Sequence, residues 1–216
     1  MTVLLFISTI VLFLTVDYFI QRKRKTVPLG QAVRPRTLSF RVPAGIFFTK
    51  SHTWLSLFPS GKVQIGVDDF LARLFTHPEI TMLKQNGDSV TKGDPILQLK
   101  EGANTVVVRA PIEGKIESVN TALTKDSSRM NDALFSEGWA YTIDPANAND
   151  LRTFYLGNST RVWLKNETER LRDFFAHLST PVPAFMQDGG EMSRGVLNNL
   201  NSEQCKKFED EFLRVE

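Results

Sequence analysis

The stretch from Asn86 to Asn120, NGDSVTKGDPILQLKEGANTVVVRAPIEGKIESVN, constrains the fold of this chain more than any other. Apolar runs (Val90; Ile96, Leu97 and Leu99; Val106 to Val108; Ile112, Ile116 and Val119) alternate with turn-forming pairs at Asn86-Gly87, Gly93-Asp94 and Glu113-Gly114. Short β-rich runs bounded by Gly, Asn and Asp predict small consecutive strands, here strand, tight turn, strand, twice over. At the centre lies a hairpin tip, Lys100-Glu101-Gly102-Ala103-Asn104.

Upstream, Ile46-Phe47-Phe48 and Thr53 to Leu57 are strand candidates, and Lys62 to Val67 alternates as a half-buried strand after a turn at Pro59 to Lys62. Asp68-Asp69 then precedes Phe70 to Phe75, which predicts a short helix with an acidic N-cap. Downstream come a loop or short helix over Thr121 to Asn131 and a closing strand, Gly138 to Ile143.

Five blocks recur in order: Ser51-His52-Thr53-Trp54, Val67-Asp68-Asp69-Phe70, Asn86 to Gly93 (NGDSVTKG), Ala110-Pro111-Ile112-Glu113-Gly114 and Ser136-Glu137-Gly138-Trp139. This series resembles the glycine cleavage system H-protein family, within the lipoyl/biotinyl-carrier superfamily, over roughly residues 46–155. The resemblance implies a mainly β protein: a flattened lipoyl-domain, H-protein-like barrel-sandwich hybrid of two sheets with flanking helices. It also makes His52 part of a structural block rather than a catalytic residue. Trp54 and Trp139 are expected in the core or a groove, since large aromatics dominate the burial of small barrels.

In the resembled family a lysine at a hairpin tip carries lipoate in amide linkage, and the cofactor performs the chemistry. Counting back from Ala110-Pro111 without a gap places that lysine at Ala103, which has no amine. Lys100 is the alternative attachment point, but an odd offset along a strand turns a side chain to the other face. The expectation is therefore no bound cofactor, with lipoate on Lys100 as the alternative.

Residues 2–20, TVLLFISTIVLFLTVDYFI, are apolar over about the length that spans a bilayer core, and Gln21-Arg22-Lys23-Arg24-Lys25 follows. The basic cluster after the apolar run predicts a single-pass anchor with its N-terminus outside and the rest in the cytoplasm, as at a bacterial inner membrane. The predicted organisation is an anchor with basic stop at 1–25, a linker at 26–45, the H-protein-like domain at 46–155 and a helical extension at 156–216. Arg34, Arg36 and Arg41 in the linker either lean weakly on anionic headgroups or are ordinary charges of a solvated linker. In the extension, Thr160 to Leu178 is amphipathic, and Asn201 or Ser202 caps a second helix carrying Phe208 and Phe212. These helices either pack on the barrel or dock a partner, because their aromatic residues need cover.

A formal net charge of +2 over 216 residues offers no concentrated basic face for nucleic acid. The single cysteine, Cys205, excludes an internal disulfide, and His52, His77 and His177 have no metal-ligand spacing. No catalytic, metal or small-molecule substrate site is expected. The reading that follows is a non-catalytic, membrane-anchored module serving as a structural or adaptor subunit of a larger protein complex. The alternatives are a lipoyl-type carrier using Lys100 and a periplasmic adaptor of an export system.

Overall fold

The computed structural model describes residues 40–178 and 193–215, which fall within one compact unit. The apolar run at 2–20 and most of the predicted linker lie outside the described residues. No helix among the described residues is long and apolar enough to cross a membrane.

Two antiparallel sheets face each other. The larger orders its strands β10-β1-β2-β3-β9-β8-β5: β1 (Ile46–Phe48), β2 (Thr53–Leu57), β3 (Val63–Val67), β5 (Ser89–Val90), β8 (Gly114–Val119), β9 (Trp139–Pro145) and β10 (Tyr155–Leu156). The smaller orders β4 (Glu79–Met82), β6 (Pro95–Glu101) and β7 (Asn104–Arg109). Alternation along the strands supplies the core: Ile80, Leu97, Leu99, Val106 and Val108 of the small sheet share one face, as their register pairs require. Tyr141 on β9 joins the layers, donating its hydroxyl to the Ile96 carbonyl of β6 at 2.6 Å. Burial pushes its phenol above the ordinary value, although the Lys84 and Leu83 backbone counters part of that. Trp54 lies across Gly66, its register partner on β3, where a Cβ would stand 2.7 Å from the indole. Glycine at that position makes room for the ring.

The Asn86–Asn120 stretch differs from two successive hairpins. Only β6 and β7 form one; β5 and β8 pair with each other in the opposite sheet, so the hairpin is nested inside that pairing. The short helix forms as expected, α1 (Asp69–Arg73), with the Asp68 side chain accepting from Leu71 N. Helices α2 (Thr121–Lys125) and α3 (Arg129–Asp132) divide the next predicted loop.

The sequence reading places residues 26–45 in a linker, yet the chain is engaged by Phe40. Its ring lies 6.1 Å from that of Phe70. Arg41, rather than reaching for headgroups, grips Asp69 through Nη2 at 2.6 Å and donates to the Asn131 carbonyl at 2.7 Å. The core also runs past residue 155. Helices α4 (Asn158–Ala176) and α5 (Ser202–Phe212) bury Trp163, Leu164, Leu171, Phe208 and Phe212 in the same apolar cluster as the strands. Of the two expectations for these helices, packing on the barrel is what they do. Asn201 and Gln204 form the capping box that starts α5.

Candidate functional site

The tip between β6 and β7 is a two-residue loop, Gly102-Ala103, closed by the pair Glu101↔Asn104. Gly102 has φ +62°, which suits the first loop position of the primed turns that match the twist of a hairpin. Gly102 and Ala103 are exposed. Gly102 and Ala103 therefore occupy the outermost place of the hairpin. Lys100 is also exposed, but it sits within the ladder, paired with Glu79 on β4 and Thr105 on β7.

The residues flanking the tip are tied to the rest of the fold. Glu101 accepts from the backbone N–H groups of Thr76 at 3.0 Å and His77 at 2.7 Å, just past α1. Asn104 shares the inward face of β7 with Val106 and is 3 % exposed; its Nδ2 donates to the carbonyls of Leu197 at 2.6 Å and Leu200 at 2.9 Å. The segment it grips is itself bonded to α1, with Gly195 N donating to Arg73 O and Leu197 N to Leu74 O. Along the outer edge of β7, α5 supplies Glu209, whose carboxylate accepts from Val107 N at 3.1 Å. An open strand edge is thereby covered. Cys205 lies against the same edge, 3.6 Å from Thr105 O; burial and the Glu209 charge push its thiol up, away from nucleophilic reactivity.

His52 forms the other concentration of polar groups. It is fully buried, with Nδ1 2.8 Å from Asp68 Oδ2 and Nε2 3.9 Å from Glu167 Oε2. Its ring is stacked between Phe70 at 4.1 Å and Trp163 at 5.0 Å. It has φ 57°, the only positive φ of a non-glycine residue among those described. Asp68 is occupied by the α1 cap and Glu167 by Arg170 at 2.8 Å. Through Glu167 and Trp163 this cluster fastens α4 to the β domain. The sequence motif revealed His52 and Asp68; Glu167 had no signal, because its helix had no predicted landing place.

Residues 46–167 match the family model of the glycine cleavage H-protein. The chain belongs to that family. It is 30% identical to the glycine cleavage system H protein of Psychrobacter sp. (strain PRwf-1) over 112 residues, 52% of this chain and 89% of that protein. It is 27% identical to that of Stenotrophomonas maltophilia (strain K279a) over 110 residues, 51% of this chain and 84% of that protein. Among solved structures, that of a glycine cleavage system H protein from Mycobacterium marinum aligns with a TM-score of 0.45 at 19% identity, covering 58% of this chain and 99% of that one.

The family carries lipoate on a lysine, so the tip can be tested for its fit to that group. Amide attachment needs a primary amine on the outermost residue, and Ala103 supplies only a methyl group. Ala103 itself offers no attachment point for an amide-linked arm, and the amine nearest the turn is that of the exposed Lys100. The hairpin is tied on both sides, by Glu101 toward α1 and by Asn104 toward the C-terminal segment.

Proposed function

We propose that this chain is a non-lipoylated member of the H-protein family, working as a structural or adaptor subunit of a larger membrane-associated complex. The observation that carries the reading is Ala103 at the exposed tip. A carrier needs a reachable amine on a free hairpin; a scaffold needs surfaces that hold their shape. Glu101, Asn104 and Glu209 supply the second property by fixing the tip and the outer edge of β7. In this reading the apolar run at 2–20 is a membrane anchor, the basic residues at 22–25 hold the folded domain on the cytoplasmic side, and the protein catalyses no reaction.

Intact-mass measurement of the native protein, purified from membranes, tests this directly. The expected mass is that of the polypeptide without a lipoyl or octanoyl adduct. An adduct, mapped to Lys100 or elsewhere, overturns the scaffold reading in favour of a carrier. Co-purification from solubilised membranes then identifies the complex; recovery of the chain alone counts against the adaptor role.

A further inference from the structure

A cavity of about 360 Å³ opens beside Pro111, at the opposite end of β7 from the tip. This falls within the range of small-molecule sites, roughly 300–1,000 Å³. One wall is apolar and aromatic, formed by Pro111, Phe154 and Tyr155. Tyr155 is held in orientation by stacking on Trp163, ring centroids 4.9 Å apart and 10° from parallel. The other wall is polar: Thr49 and Ser51, 4 % and 3 % exposed, with their hydroxyl oxygens 3.0 Å apart. A hydroxyl has one donor and two acceptor positions, so Ser51 retains hydrogen-bonding capacity beyond that contact.

Lys50 and Lys92 line the cavity, and no acidic side chain does so among the described residues. Lys92 is carried on a rigid turn. Asp94 Oδ2 accepts from Thr91 N at 3.0 Å, Asp94 N donates back to Thr91 O at 3.1 Å, and Gly93 N donates to Ala110 O at 2.8 Å. Gly93 takes φ +91° to make that turn. The Asp94 carboxylate faces Lys84 Nζ at 3.5 Å. The Lys92 ammonium forms no ion pair among the described residues.

An ammonium with no ion pair among the described residues on a fixed turn, the Ser51 hydroxyl with remaining capacity and an ordered aromatic wall define a ligand with a charged head and an apolar body. We propose that this cavity binds a small organic carboxylate with an aromatic or branched body, its carboxylate paired with Lys92 and its body against Phe154 and Tyr155. This goes beyond the scaffold reading and is independent of it: an adduct at the tip would overturn that reading and leave this one standing.

Isothermal titration of the full chain in detergent with 3-phenylpropionate tests the proposal. The controls are 3-phenylpropanamide, which keeps the body without the charge, and inorganic phosphate, which keeps the charge without the body. Saturable binding of the acid is expected, at least about tenfold tighter than either control, the scale on which a hydrogen bond to a charged group contributes. Lys92→Glu and Lys92→Gln alter an exposed turn residue, so both should fold, and each should weaken the acid by about tenfold or more. The same detergent with either variant corrects for partitioning into micelles. Absence of saturable heat, equal binding of acid and amide, phosphate as tight as the acid, or unchanged binding by the Lys92 variants each overturns the proposal.

Discussion

The side-chain amide of Asn104 stands 2.6 Å from the carbonyl of Leu197, a residue 93 positions further along the chain. The same nitrogen reaches Leu200 O at 2.9 Å, so one side chain at the base of the tip satisfies two backbone acceptors of the C-terminal segment. Replacing Asn104 with Ala strips both bonds from a buried site. Leaving buried acceptors unsatisfied costs about 1–3 kcal/mol each. Asn104→Ala is therefore expected to lower unfolding free energy by about 2–3 kcal/mol in urea titration, with faster amide exchange over residues 195–200. A change under about 0.5 kcal/mol would show that the clamp does not hold the tip.

Because Ala103 is exposed and its backbone has no positive φ, a lysine fits there without strain. Ala103→Lys should alter stability by no more than about 0.5 kcal/mol, as surface substitutions generally do. With a lipoate-protein ligase, ATP and lipoate, the wild type is expected to gain no mass. Ala103→Lys is expected to gain one lipoyl group, located at position 103 by peptide mapping. Modification of the wild type at Lys100 would reverse the assignment of the tip.

The strands were legible in the sequence because a pleated strand imposes a period of two, and Val106-Val107-Val108 between Gly102 and Pro111 leaves little else to form. The Asp68 cap was legible for a similar local reason: a side-chain acceptor is needed where α1 leaves N–H groups open. The pairing of β5 with β8 was not, since adjacency in sequence favours hairpins and the nested pairing depends on both sheets being present. Nor was the landing place of α4 and α5. The apolar stripe shows that one face needs cover, while the identity of that cover rests on partners such as Phe70, whose ring lies 6.2 Å from that of Phe212. The turn at Gly102 was legible from its residue type, yet Glu101 and Asn104 gave no sign of their distant anchors.

His52 is held in the left-handed region, which costs a non-glycine residue roughly 1–2 kcal/mol. Its bond to Asp68 and the stacking on Phe70 and Trp163 offset that strain. In His52→Ala the Asp68 carboxylate loses its histidine partner, and two rings lose the surface between them. The expected loss is about 3–5 kcal/mol, the scale of truncating a fully buried aromatic ring to Ala. His52→Asn tolerates the same backbone and can still donate to Asp68, so its loss should be about half as large. Urea titration of both variants checks the order, and an Asn variant no better than Ala would remove the Asp68 bond from the account.

Asp69 sets the acid limit of the junction between Phe40 and α1. Burial works to raise its carboxyl, but hydrogen bonds from Arg41 and the charge of Arg73 outweigh burial and hold it below its ordinary value of 3.8. A carboxyl that is more acidic in the folded state than in the unfolded one stabilises the fold fully above the unfolded value. That contribution disappears as pH falls through the lower, folded value. Asp69→Asn keeps the shape and removes the titration. The stability gap between wild type and Asp69→Asn should thus be constant from pH 7 to about pH 5, and shrink progressively below pH 4. Arg41→Met leaves Asp69 with Arg73 alone and should cost about 2–3 kcal/mol at neutral pH, less than a fully buried pair because Arg41 is partly exposed. Its stability should also fall off at a higher pH than that of the wild type. A gap that widens on acidification would show that Asp69 is not the group lost first.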